Sequence, residues 1–292
     1  MKPKLIVLGA GEVGTWFAGI ARDRYDITMV DLAAVDSQHP LVIADILNPT
    51  PELELLISEA DVIVFALPDK AAIEGLDQVS RFISAQTLVV ETLSVKTEFH
   101  AAYSELKIAS PLHGMQPLFK PTLETRGRGI VYIENESITT PLLECYTQSK
   151  AIVKPFSSCE EHDRCMLLFQ VLPHFLFFVF GEALRNSEVD IVELLDVAPP
   201  PFKTLLAATN RMENGSEHVY WDIQTSNKAT STFREKLIEI SQNISNIFGS
   251  KDFDSYKNVF SATRNILGTK NSEVLAMCSK MYEHLDNTNS DS

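Results

Sequence analysis

Three glycines at fixed spacing, Gly9, Gly11 and Gly14 in Gly9-Ala10-Gly11-Glu12-Val13-Gly14, stand between two apolar runs, Lys4 to Leu8 and Trp16 to Ala21. A pyrophosphate is bound by such a turn. The first glycine allows a tight bend after a strand, the second lets the backbone approach the phosphates, and the third lets helix pack on strand. The helix N-terminus, with Glu12 and Val13 in its first turn, then faces the anion. Asp31 closes the next apolar run, Ile27 to Val30. A carboxylate there accepts hydrogen bonds from both ribose hydroxyls of NAD and repels the extra phosphate of NADP, so the predicted cofactor is NAD.

Other residues could do chemistry. Ser110-Pro-Leu-His-Gly-Met115 places His113 after a short apolar run, near the sheet edge where a nicotinamide would lie. An imidazole with an ordinary pKa of about 6.5 can take a proton from an alcohol as hydride leaves its carbon; a loop histidine with a structural hydrogen bond is the alternative. Leu67-Pro68 and Glu91-Thr-Leu-Ser-Val-Lys96, which contains Ser94, follow two further apolar runs, at the edge where open α/β sheets bind ligands. His162 and Asp163 lie in Glu160-Glu-His-Asp163, where acids near a helix start are favoured by its dipole. His174 interrupts an otherwise apolar stretch. Lys203 and Arg211, eight apart, fall close to one face of a helix, either as a solvated pair or with the guanidinium as a fork for a carboxylate.

The elements that must hold these residues alternate. Short apolar runs at 62–66, 88–90, 108–109, 130–133 and 152–153 are separated by helical stretches, which predicts a mostly parallel sheet covered by helices. From about Cys159 the strand pattern stops and the spacing becomes helical, through Gly181. Pro199-Pro200-Pro201 interrupts it, and Leu237, Ile238, Ile240, Ile244 and Ile247 trace another apolar stripe ending at Gly249. The last residues, 286–292, lack apolar side chains and are expected to fray.

The chain has 292 residues, 45% of them hydrophobic, which accommodates two domains with separate cores. A formal charge of −14 argues against nucleic acid or an anionic membrane as partner, because phosphate surfaces require dense Lys and Arg. No purely apolar stretch reaches the ~18 residues of a spanning helix, since Glu182 and Arg185 break the one around Phe175 to Phe180. With strand residues from Lys4 onward there is no signal-peptide pattern, so a cytoplasmic protein is expected. Four cysteines without metal-type spacing predict reduced thiols and no metal site.

Order and spacing together resemble the prephenate dehydrogenase family across nearly the whole chain. Leu93-Ser-Val-Lys96 resembles its TSVK or GSVK segment, Leu112-His-Gly-Met115 its LHPM, Glu161-His-Asp163 its EHD, Leu172-Pro-His174 its LPH, and Phe202-Lys203 to Asn210-Arg211 its YR…GR segment. The resemblance implies an NAD-binding Rossmann-type α/β domain over 1–157 and an all-α substrate and dimerisation domain over 158–292. It also implies a homodimer. The implied reaction is oxidative decarboxylation of prephenate to 4-hydroxyphenylpyruvate, with hydride passing from ring C4 to NAD. His113 would be the catalytic base and Ser94 would orient it; Arg211 would hold a carboxylate, with His174 and Lys203 as further polar contacts.

One segment departs from that pattern. Where the family continues as HPMFG, this chain reads His113-Gly-Met-Gln-Pro117. Gln116 is therefore a candidate contact to the substrate, and the departure opens two relatives of prephenate as substrates, 4-amino-4-deoxyprephenate and arogenate. A 3-hydroxyacid dehydrogenase would place a lysine where Glu160 to Asp163 stand, and a non-catalytic NAD-sensing protein would not need His113, Ser94 and Arg211 together.

Overall fold

The computed structural model describes residues 2–134 and 140–288. Two compact units divide the chain, 1–166 and 167–292. Among its described residues the first holds eight strands: β1 (Lys4–Leu8), β2 (Asp26–Asp31), β3 (Leu41–Ile43), β4 (Val62–Phe65), β5 (Leu88–Glu91), β6 (Leu112–Pro117), β7 (Gly129–Ile133) and β8 (Ile152–Phe156). Its helices are α1 (Glu12–Ala21), α2 (Pro51–Ser58), α3 (Asp69–Val79), α4 (Lys96–Glu105), α5 (Thr140–Gln148) and α6 (Cys159–Met166). The strands form one sheet in the order β3-β2-β1-β4-β5-β6-β7-β8. Every pairing is parallel except β6 with β7.

A parallel sheet needs both faces covered, and strand alternation supplies them. Leu5, Val7, Val62 and Val64 point into one core with Phe17 of α1 and Tyr146 of α5. Ile6, Leu8, Ile63 and Phe65 point into the other with Leu53, Ile57, Leu76 and Phe99 from α2, α3 and α4. Chain order reverses at β1, so the β1–α1 turn opens at the switch point where such sheets bind ligands.

The mostly parallel sheet matches the sequence expectation, with two differences. Residues 108–109 are not a strand, and β6 begins instead at Leu112; β3 was not anticipated. His113 is thus the second residue of a strand rather than part of a loop after one. Its segment carries proline and glycine and little apolar alternation, so local pattern hides a strand that pairing to Val89, Val90 and Glu91 creates.

The second unit is helical: α7 (Leu172–Arg185), α8 (Ile191–Leu194), α9 (Pro200–Glu213), α10 (Glu217–Thr225), α11 (Thr230–Gly249), α12 (Phe253–Asn265) and α13 (Asn271–Thr288). Pro200 and Pro201 start α9 rather than merely ending what precedes it, because proline's missing N–H is no loss in a first helical turn. Residues 286–288 are helical, and 289–292 lie outside the described residues. A π-turn at Leu167–Val171 joins α6 to α7, and the helical run Cys159–Arg185 has an 18-residue window of mean hydropathy 1.7, with 11% of that window buried. That corrects the expectation that no stretch reaches spanning length: Glu182 and Arg185 fall in its last four residues, too late to interrupt it. By length and composition alone this run is long and apolar enough to cross a membrane.

Candidate active site

The glycine turn is built as its spacing requires. Gly9 has φ +103°, a left-handed conformation that favours glycine, and a Cβ there would collide with the Ala66 carbonyl. A Cβ at Gly14 would collide with the Gly9 carbonyl. At Gly11 a Cβ would meet nothing within 4 Å, and the N-terminus of α1 has no side-chain cap. The first-turn N–H groups of α1, from Glu12 and Val13 onward, are therefore free of a side-chain cap beside an open cradle, which fits a pyrophosphate. Asp31 ends β2, and its Oδ2 accepts a hydrogen bond from Ala10 N at 2.7 Å while Oδ1 accepts from Ala33 N at 3.2 Å. The acid thus braces the glycine turn. Leu67 and Pro68 follow β4, with Leu67 Cδ2 3.2 Å from where a Gly9 Cβ would be.

His113 is fully buried on the face of β6 that looks toward α5. Its ring stacks near Tyr146, centroids 6.1 Å apart, and lies 5.7 Å from the Tyr132 ring. Neither ring nitrogen has a hydrogen-bond partner among the described residues. Burial pushes its pKa down to about 4, against the weaker upward pull of Glu91. The ring is therefore neutral near pH 7, the form that can accept a proton.

Ser94 lies in the β5–α4 loop, its N–H donating to Asp69 Oδ1 at 3.2 Å. No hydrogen bond joins it to His113, whose nitrogens are both unpartnered among the described residues. The segments carrying these two residues are tied together by a side chain the sequence reading left out of the site, Lys96. It is fully buried, and its Nζ donates to Glu91 Oε2 (2.7 Å), Leu93 O (2.9 Å) and Met115 O (2.7 Å), using all three of its donors. Burial pushes the Glu91 carboxyl up, but Lys96 and His100 beside it prevail and hold it below the usual carboxylate range. A lysine in an otherwise ordinary polar stretch gives no signal of this: only the fold carries the Met115 carbonyl to it.

Two candidates have partners that redefine them. Asp163 accepts from Lys96 N (2.8 Å), Thr97 N (3.0 Å) and Thr97 Oγ1 (2.7 Å), so it caps α4 from a distant point in the chain rather than capping its own helix. Burial raises its carboxyl pKa, yet His162 and these donors outweigh that and lower it. His162 is fully buried, with Nδ1 2.9 Å from Asp163 Oδ1 and Nε2 2.9 Å from Gln116 Oε1. Gln116 is buried, its Oε1 is engaged by His162, and strand alternation sends it to the opposite face of β6 from His113.

In the second unit, His174 on α7 packs edge-on to Tyr220, centroids 5.0 Å apart. Burial lowers its pKa, against the upward pull of a hydrogen bond to the Gln170 backbone and with the Arg211 charge adding to the lowering. Lys203 and Arg211 both lie on α9 as their spacing predicts. Lys203 Nζ donates to Asp196 O at 3.2 Å, and Arg211 is exposed. The cysteines are free thiols, and the described residues include no cluster of His, Cys, Asp and Glu able to hold a metal.

Residues 158–262 match the family model described as "Prephenate dehydrogenase, dimerization domain". The match starts with the last residue before α6, whereas α6 packs within the first unit, against α4 and β8. A 4-amino-4-deoxyprephenate dehydrogenase of Streptomyces pristinaespiralis is 27% identical over 96% of this chain and 96% of its own length. A probable arogenate/prephenate dehydrogenase of Methanocaldococcus jannaschii is 23% identical, covering 91% of this chain and 61% of that protein. Among solved structures, prephenate dehydrogenase from A. aeolicus in complex with hydroxyphenyl propionate and NAD+ superposes with TM-score 0.72 at 16% identity, over 94% of this chain and 99% of that one. Synechocystis arogenate dehydrogenase follows at TM-score 0.63 and 16% identity, over 90% and 98%. Residues 158–262 thus match the dimerization domain of prephenate dehydrogenases, and the fold of the chain is similar to that of solved prephenate and arogenate dehydrogenases.

Proposed function

We propose that this chain is an NAD-dependent dehydrogenase that oxidises and decarboxylates a cyclohexadiene of the prephenate type, with prephenate as the first substrate to offer. The observation that carries this reading is His113, buried and neutral with both ring nitrogens unpartnered among the described residues, on the strand next to the Ser94 segment. A second reading, 4-amino-4-deoxyprephenate as substrate, is favoured by the Streptomyces relative that matches over 96% of both chains. Arogenate stands as the third member of the series.

Bound at the glycine turn, with Gly9, Gly11, Glu12, Val13, Gly14, Asp31, Leu67 and Pro68 around it, NAD would supply the acceptor for hydride from ring C4. His113 would take the hydroxyl proton as C4 becomes a carbonyl, with Ser94 as the orienting hydroxyl. The ring carboxylate would then leave as carbon dioxide, its bonding electrons making the ring aromatic, and His113 would return the proton to the new phenolate oxygen. Arg211 is proposed to hold a substrate carboxylate, with His174 and Lys203 as polar contacts; a guanidinium presents the planar fork that a carboxylate fits. A homodimer is proposed from the match to a dimerization domain and from apolar side chains left exposed on α7, among them Leu176, Phe178 and Val179.

NADH formation with prephenate, arogenate and 4-amino-4-deoxyprephenate, compared as kcat/KM, tests the reading. Turnover of any of them supports the reaction and ranks the substrates; no turnover of all three rejects it. Asp31→Ala should raise the KM for NAD by about 10- to 100-fold, the worth of hydrogen bonds to a charged group. It should also raise the ratio of NADP to NAD efficiency, and an unchanged ratio would remove Asp31 from the ribose site.

A further inference from the structure

We propose that Glu91 and His100 act as positioning residues for the strand that carries His113, and that residue 114 is glycine because this pair fills the space a side chain would need. The proposal rests on the reaction proposed above for its catalytic meaning, and on geometry for the pair itself.

Strand pairing sets Glu91 opposite Gly114. A Cβ on Gly114 would fall well inside van der Waals contact with Glu91 Oε1, 3.0 Å from His100 Nε2 and 3.1 Å from Ile133 Cγ1. Of the two polar neighbours, the carboxylate is the one that is not free to yield. Glu91 is fully buried, its Oε2 held by Lys96 Nζ at 2.7 Å and Leu93 N at 2.9 Å, and its Oε1 lies 3.1 Å from His100 Nε2. His100 sits on α4, whose first turn is fixed by Asp163. Displacing the carboxylate would leave a buried charge without its donors, so the β6 backbone would have to move instead.

Residue 114 follows His113 directly, and a shift of their shared peptide re-aims the imidazole. Proton transfer tolerates little of that, since misplacement by about 1 Å can cost on the order of 100-fold. The family resemblance places a proline at this position, where a ring would overlap Glu91 Oε1. The Pro-to-Gly departure is then the counterpart of the Glu91–His100 pair: the flexibility that glycine adds to the backbone is taken up by a hydrogen-bonded wall behind it.

The test is a double-substitution cycle with Gly114→Ala, Glu91→Asp and Glu91→Asp/Gly114→Ala, read by kcat and KM on the substrate the wild type turns over. Aspartate withdraws the carboxylate by one methylene, about 1.5 Å. Gly114→Ala is expected to lower kcat at least tenfold with KM for NAD unchanged, Glu91→Asp to lower it too because its donors are stretched, and the double variant to lose at least fivefold less than the product of the two single losses, since the methyl meets the carboxylate that aspartate withdraws. A Gly114→Ala enzyme with wild-type kcat, or losses that multiply in the double variant, overturns the proposal. Urea unfolding of the same four proteins separates its failure from that of the reaction. If the wild type consumes none of the three cyclohexadienes the reaction is wrong, and the pair is then decided by stability: coupled losses at 91 and 114 support it, and additive losses overturn it.

Discussion

His113→Ala should lower turnover by about 100- to 10,000-fold while leaving NAD affinity nearly unchanged, the signature of a lost general base. The ring's nitrogens are unpaired among the described residues and so open to a substrate hydroxyl, while burial makes it a weaker base than an ordinary imidazole. Its pKa near 4 keeps it neutral at the pH of metabolism, and no protein group competes for its nitrogens among the described residues. The same burial has a pH-dependent effect on stability. In the unfolded chain the imidazole binds its proton near 6.5, and in the native protein only near 4, so between these values the unfolded state binds more protons. The native state is thus fully favoured above pH 6.5 and loses this contribution as pH falls toward 4. Between pH 8 and pH 5 the loss is about 2 kcal/mol. His113→Asn should remove that part of the pH dependence, measured as the difference in urea unfolding at the two pH values. Unaltered turnover in His113→Ala would remove the residue from the chemistry; an unaltered pH dependence in His113→Asn would place the ring in water.

Lys96→Met should destabilise the first unit by about 3 to 5 kcal/mol and abolish most turnover, because it leaves Glu91 as a buried charge short of its main partner. The loss has a second part. Lys96 Nζ joins the Leu93 and Met115 carbonyls, so removing it frees the segment with Ser94 from the segment with His113. The combination Lys96→Met/Glu91→Gln should be less destabilised than the sum of the single changes, since the charge and its partner go together. A Lys96→Met loss below about 1 kcal/mol in urea unfolding would show that the ammonium is not buried among these acceptors.

Much of this was legible in the residues. The Gly9 to Gly14 turn and Asp31 are local features, because a tight bend, a close backbone approach and a strand-end carboxylate are each specified within a few residues. The alternation of apolar runs gave the layered sheet, and the helical spacing after Cys159 gave the second unit. Residues 200–213 formed the helix that puts Lys203 and Arg211 on one element. What local pattern hid was β6, whose strand state depends on pairing with β5. Asp163 looked like an ordinary acid at the start of its own helix, and instead it caps α4, more than sixty residues earlier in the chain. Gln116 is held by His162, because alternation along a strand that could not be seen decides which way it faces.

By itself, then, the sequence determined the cofactor turn, the order of elements and which residues carry the family's motifs, since each depends on short-range sterics and periodicity. Tertiary structure decided which of those residues are partners. The buried Glu91–Lys96–His100 cluster, the neutrality of His113 and the need for glycine at 114 come from groups brought together across the sheet, where burial and pairing set charge state and leave no room for a side chain.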